Sequence, residues 1–131
     1  MTLQRLLLGI LAVSLVPAAA AAAENTIKIG YPMPLSGPAS VYGVPIVKGA
    51  EMAVKEINES GGVLGRKLEL LTRDSKASAD EAVRLARELI IKNSVDFLSG
   101  TLTSAEAPAV STIAKENKIV FMAPTPRCFC S

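Results

Sequence analysis

Between residues 26 and 122 the apolar positions switch back and forth between two patterns, short β-branched runs and longer stripes at helical spacing. The run Thr26-Ile27-Lys28-Ile29-Gly30-Tyr31-Pro32-Met33, broken by Pro34 and Pro38, predicts a first strand. Gly43-Val44-Pro45 then opens a helix, with proline near the first turn, where its missing N–H costs nothing. Ile46, Ala50, Ala53 and Ile57 recur at helical spacing and form its expected buried stripe. Ser60-Gly61-Gly62 ends it, because a glycine just past a helix accepts the left-handed backbone that satisfies the last carbonyls.

Residues 67–72, Lys-Leu-Glu-Leu-Leu-Thr, predict a second strand. Ser78 with Glu81 three residues on has the spacing of a capping box and starts the next helix, whose stripe is Ala82, Val83, Ala86, Leu89 and Ile90. Residues 95–98 read as a third short strand, 99–103 as a loop, 104–115 as a helix burying Ala107, Val110, Ile113 and Ala114, and 119–122 as a fourth strand. Strands alternating with helices predict an α/β fold, a parallel Rossmann-like sheet with helices on both faces. Its crossovers should be right-handed. Ligands then bind beyond the carboxyl ends of the strands, near the point where strand order reverses. That selects the loops 35–44, 99–103 and 123–127.

The start of the chain changes where such a domain would work. Arg5 is the only charge before Glu24, residues 6–16 are apolar, and Pro17 and a run of alanines follow. This is the layout of a secretory signal peptide, with Ala21-Ala22-Ala23 meeting the small-residue cleavage pattern. The expected organisation is a signal peptide over 1–23, a domain over 24–126 and a divergent tail over 127–131. A spanning helix wants about 20 strongly apolar residues, and the second half of this segment is mainly alanine. No Cys lies near the cleavage point to carry a lipid, so a soluble protein of the periplasm is expected.

With 14 basic and 12 acidic residues, 13 and 12 once Arg5 is removed, the charge implies neither nucleic acid nor an anionic membrane. Catalysis finds little support. The chain has no His, no Gly-x-Ser-x-Gly turn and no phosphate-binding P-loop. After the first strand it has Gly30-Tyr31-Pro32-Met33-Pro34-Leu35 in place of a dinucleotide-binding glycine turn. Cys128 and Cys130 are too few for a structural zinc site, and a bridge across one residue would be strained. No cofactor and no metal are expected.

The loop Gly100-Thr101-Leu102-Thr103-Ser104 carries the clearest binding chemistry, since it brings hydroxyls and backbone N–H groups to a helix start, where an anion is favoured. Ser104 could hold the carboxylate of an amino acid; equally, Ser104 or Thr103 could simply cap its own helix. Tyr42 could lay its ring along an apolar ligand side chain or pack on its own loop. Asp74, at the end of the second strand, could meet a ligand ammonium, though a solvated or turn-forming role is favoured.

The order Ile27-Lys28-Ile29-Gly30, Pro34-Leu35-Ser36-Gly37-Pro38, Tyr42-Gly43, Gly49-Ala50-Glu51-Met52-Ala53, Glu56-Ile57-Asn58, Gly61-Gly62-Val63-Leu64-Gly65-Arg66-Lys67-Leu68 and Asp74-Ser75 resembles the type I periplasmic binding proteins of branched-chain amino acid ABC transporters, over residues 26–126. The resemblance implies two lobes closing on a ligand, of which this chain carries part of the first. It implies that Tyr42 lines the side-chain pocket, that Leu102 and Thr103 border it, that Ser104 holds the carboxylate and that Thr125 offers a backbone carbonyl to the ammonium. Arg127 falls where a small hydroxyl residue is expected. The partners implied are a small amino acid and a permease in the inner membrane. Amides, urea or aromatic acids stay open as ligands, and a sensory receptor domain of the same fold or a flavodoxin-like enzyme as classes. The tail Arg127-Cys128-Phe129-Cys130-Ser131 does not resemble the family, so a fragment or frameshift product is expected, with a site open to water and a sheet edge prone to aggregation.

Overall fold

Every strand runs in the same direction, because a helix carries the chain back to its starting end after each of the first three. The computed structural model describes residues 26–124. The elements are β1 (Thr26–Met33), α1 (Ser40–Glu59), β2 (Lys67–Asp74), α2 (Ala79–Ile91), β3 (Phe97–Ser99), α3 (Glu106–Glu116) and β4 (Val120–Met122). The sheet order is β2-β1-β3-β4, parallel throughout. The expected signal peptide, Thr125, Arg127, Cys128 and Cys130 lie outside the described residues.

Handedness distributes the helices. The step from β1 to β2 goes one way along the sheet and the later steps go the other, so right-handed crossovers place α1 on one face and α2 and α3 on the opposite one. The packing agrees. Tyr31, Met33 and Val47 form a small core under α1, with Leu35, Ile46, Ala50, Leu70 and Leu102 against it. On the other face Ala82, Ala86, Leu89, Val95, Leu98, Val110, Ile113 and Ala114 make the larger core, joined by Leu71 and Phe121. Ile29 pairs with Leu70 and Phe97, and Gly30 with Leu71 and Leu98, so the side-chain alternation of β1 divides the two cores.

Strand β2 runs on to Asp74 and β4 starts at Val120, each slightly off the sequence reading, and three larger differences have visible causes. Helix α1 starts at Ser40, three residues before Gly43, because Gly37 takes φ +72, Ser40 Oγ donates to the Gly37 carbonyl at 2.7 Å, and the Tyr42 and Gly43 N–H groups both reach the Ala39 carbonyl at 3.1 Å. Pro45 therefore sits inside the helix, where it offers no N–H to the Val41 carbonyl. Strand β3 runs over Phe97–Ser99 instead of 95–98, since Val95 is buried in the α2 turn and its N–H bonds the Leu89 carbonyl. Helix α3 begins at Glu106.

All three stripes also differ; in α3, Ala107 is only half-buried and Glu106 joins the buried set. In α1, Gly43 and Val47 are buried, Ile46 and Ala50 half-buried, and Ala53 and Ile57 exposed, since no second described helix shares that face. Asn58 anchors its end: Nδ2 donates to the Leu68 carbonyl at 2.8 Å and Oδ1 accepts the Leu68 N–H at 2.7 Å. In α2, Leu85 joins the buried set while Val83 and Ile90 are half-buried. Ser78 has the extended backbone of an N-cap, yet neither half of the box forms: Ser78 makes no side-chain cap bond, its N–H donates to the Ser75 carbonyl at 2.9 Å, and the Glu81 carboxylate turns to Arg84 at 2.7 Å.

Candidate functional site

Strand order reverses between β1 and β3, which puts a crevice where the loops 34–39 and 100–105 leave adjacent carboxyl ends. The second loop is tied to the end of β1. The Thr101 N–H donates to the Pro32 carbonyl at 2.8 Å, extending the β1–β3 contact beyond the ladder. Gly100 makes this approach possible with φ +111; a Cβ there would meet the Pro32 carbonyl oxygen at 2.7 Å. Thr101 is buried and has φ +68, a left-handed backbone that a β-branched residue rarely adopts. Such strain, on the order of 1–3 kcal/mol, persists where the surroundings enforce it and collects at ligand clamps.

The opposite wall is held from β2. Asp74 Oδ1 accepts the N–H groups of Leu35 at 2.8 Å and Lys76 at 3.0 Å, and Oδ2 accepts the Ser36 hydroxyl at 2.6 Å. Asp74 is the turn former the sequence favours, through the Lys76 N–H two residues on, and both its oxygens also pin the β1–α1 loop to the neighbouring strand. Partial burial pushes its carboxyl up, but the hydrogen bonds from Ser36, Leu35 and Lys76 outweigh this and hold it below the usual carboxylate range. Its stabilisation is therefore present above the ordinary unfolded value near 4 and lost as pH falls through the lower folded value. Asp74→Ala should cost about 1–2 kcal/mol in urea unfolding at neutral pH, and the gap to wild type should close below about pH 4. A gap that stays constant down to about pH 2.5 would refute the carboxylate role.

The β3–α3 loop is held by a residue the sequence reading passed over. Glu106 is fully buried, and its Oε2 accepts the N–H of Leu102 at 3.2 Å, the N–H of Thr103 at 2.9 Å and the Thr103 hydroxyl at 2.9 Å. The Glu106 N–H in turn reaches Thr103 Oγ1 at 3.2 Å. This is the reciprocal bonding of a capping box, made between Thr103 and Glu106 across the turn that leads into α3. The spacing Thr103-x-x-Glu106 was readable in the chain and would have found it.

The candidate ligand residues take different places around this frame. Tyr42 lies in the first turn of α1 instead of on the loop, with 63% of its surface exposed. Leu102 is half-buried against the Tyr31, Met33 and Val47 cluster. Thr103 spends its hydroxyl on the cap, whereas Ser104 is exposed and hydrogen-bonds to nothing among the described residues. No group of three or more His, Cys, Asp or Glu side chains able to hold a metal ion occurs among the described residues.

Comparison with known proteins places this arrangement. Residues 26–131 match the family model described as periplasmic binding protein. The Leu/Ile/Val-binding protein BraC3 of Rhizobium johnstonii is 37% identical over 103 residues, covering 79% of this chain and 28% of its own. The branched-chain amino acid transporter substrate-binding protein LivJ of Streptococcus pneumoniae, solved with isoleucine, is 33% identical with a TM-score of 0.73, covering 76% of this chain and 29% of its own. A solute-binding protein of an ABC transporter from Rhodopseudomonas palustris, solved with 3,4-dihydroxybenzoic acid, is 28% identical with a TM-score of 0.71, covering 76% of this chain and 27% of its own. The chain thus spans under a third of the length of each of these proteins.

Proposed function

The chain belongs to the periplasmic binding protein family, and from that premise we propose that it captures a branched-chain or related amino acid outside the cytoplasm for import by an ABC transporter. The observation that carries the reading is the strand reversal between β1 and β3, whose two outgoing segments carry the exposed Tyr42 and Ser104 and are held in shape by Asp74 and Glu106. In this reading the ligand carboxylate bonds Ser104 at the N-terminal end of α3, its apolar side chain lies toward Tyr42 and Leu102, and Thr125 gives a carbonyl to the ammonium. Thr103 acts through the loop, since its hydroxyl is taken. The domain binds and releases without turnover, its membrane partner being a permease, and residues 1–23 direct it to the periplasm and are cleaved there.

The relatives named as Leu/Ile/Val-binding proteins support the amino acid, and the neighbour solved with 3,4-dihydroxybenzoic acid supports an aromatic acid as the second reading. The test is a titration of the isotopically labelled chain, recovered from the periplasm with Glu24 first by intact mass, followed by amide chemical shifts. Leucine up to about 10 mM, enough to reveal a millimolar constant, should move the signals of the 100–105 loop. Ser104→Ala should weaken the response about tenfold, the scale of one lost hydrogen bond to a charged group. Shifts produced by 3,4-dihydroxybenzoate and not by leucine would transfer the assignment to aromatic acids; silence with both would end the ligand reading.

A further inference from the structure

We propose that Glu106 is the positioning residue of this ligand edge: by occupying the amides of Leu102 and Thr103 it holds the strained loop open to the crevice and confines an incoming acid group to the amides of Ser104 and Ala105. The proposal rests on the functional reading above. Its structural half can be measured without any ligand.

Five consecutive amides, residues 102–106, lead into the N-terminal end of α3, toward which an anion would be drawn. Three are spoken for. Those of Leu102 and Thr103 donate to Glu106 Oε2, and that of Glu106 donates to the Thr103 hydroxyl. The amides of Ser104 and Ala105 donate to nothing among the described residues, and both residues are exposed. Glu106 thus places a carboxylate inside the protein at the point a ligand carboxylate would otherwise approach, and leaves a narrower landing place of two amides and the Ser104 hydroxyl.

A cap alone would not demand a carboxylate buried this deeply. Glu106 has no exposed surface, and its second oxygen, Oε1, is buried without a hydrogen-bond partner among the described residues. Leaving a buried acceptor unmatched is costly, so the residue is held in place by what its other oxygen does. That oxygen fixes the two residues that follow Gly100 and Thr101, of which Thr101 holds the left-handed backbone a β-branched residue rarely adopts. Glu106 locks the segment from below while Thr101 ties it sideways to Pro32.

Amide exchange and leucine titration of the full chain test both halves. In wild type the amides of Leu102 and Thr103 should exchange at least about tenfold more slowly than those of Ser104 and Ala105, as bonded buried groups do, and leucine should shift Ser104 and Ala105 most. Glu106→Ala should erase the protection at Leu102 and Thr103 and weaken leucine binding about tenfold, as expected for lost charge-assisted bonds. Glu106→Gln retains an acceptor oxygen without the charge and should restore part of both. If Glu106→Ala does not fold, the wild-type exchange pattern and the site of the leucine shifts still decide. Equal exchange of the four amides, or leucine shifts centred on Leu102 and Thr103, would overturn the proposal. Loss of protection in Glu106→Ala with leucine affinity unchanged would reduce Glu106 to a structural cap. A wild-type chain that ignores leucine while protecting Leu102 and Thr103 would remove the function and the ligand half together, leaving only the cap.

Discussion

Replacing Gly43 by alanine should cost about 3 kcal/mol or more and lower the thermal midpoint by upwards of about 10 °C, as expected for a domain of this size. A Cβ at Gly43 would fall deep inside the radius of the Pro34 carbonyl oxygen and close to Met33. The obstructing atom is backbone, part of a loop that Asp74 anchors from the next strand, so relief requires moving α1 or the whole loop. Either movement displaces Tyr42, the adjacent residue, so the ligand response should suffer along with stability. Circular dichroism melting of Gly43→Ala beside Gly49→Ala makes the comparison, because a Cβ at Gly49 meets nothing within 4 Å. Alanine is the better helix former by up to about 1 kcal/mol, so Gly49→Ala should be neutral or stabilising. Similar midpoints for the two variants would show that α1 is not pinned at Gly43.

The second large effect is expected at Leu98, which should cost about 3 kcal/mol when cut to alanine, within the range for a filled core position. Strand β3 has only three residues, and Leu98 is its fully buried member, packed between β1 and the α2–α3 layer. Its Cδ2 would be 2.6 Å from a Cβ on Gly30, with Leu89 Cδ1 at 3.2 Å. The two sites are therefore coupled in a way that a double-mutant cycle can read. Gly30→Ala should destabilise the wild type, where it collides with Leu98, and should recover about 1 kcal/mol or more in the Leu98→Ala background, where it refills part of the void. Urea unfolding of the four proteins measures this. Additive losses would mean that Gly30 is needed for backbone freedom and not for the space it leaves.

The strand and helix order was legible in the chain because each element carries its own period, and β1 matches its expected range from end to end. What the sequence reading misplaced are features decided by partners far away. The start of α1 depends on a turn at Gly37, and Ala53 and Ile57, apolar at the right spacing, are left exposed because a stripe shows which side of a helix is apolar and not whether anything covers it. The capping boxes are the sharper case. Ser78-x-x-Glu81 and Thr103-x-x-Glu106 have the same spacing. The first fails because the Ser78 N–H is already given to the Ser75 carbonyl, while Arg84, one turn on, holds the Glu81 carboxylate at the surface. The second succeeds because Glu106 is enclosed, with the amides of Leu102 and Thr103 as its partners. Burial separates the two outcomes, and burial is a property of the assembled sheet. The strand pattern put Leu102 and Thr103 on the loop after β3, where the structure has them, while the placement of Tyr42 in α1 and the turning of the Thr103 hydroxyl inward beside an exposed Ser104 required the structure.

The position of β1 also sets a timetable for the chain as it emerges. It is the first strand made, yet it lies in the interior of the sheet, and its two partners arrive only with β2 and then with β3, where Lys28 meets Asp96 across 68 residues of sequence. Closing loops of that length before any contact rewards them makes assembly slow relative to a hairpin protein. Until Phe97–Ser99 has been delivered, one side of β1 offers unpaired amides and carbonyls to whatever is near. A nascent chain stalled anywhere before β3 would hold a half-sheet with a sticky flank and no crevice, and would be a natural client for a holding chaperone.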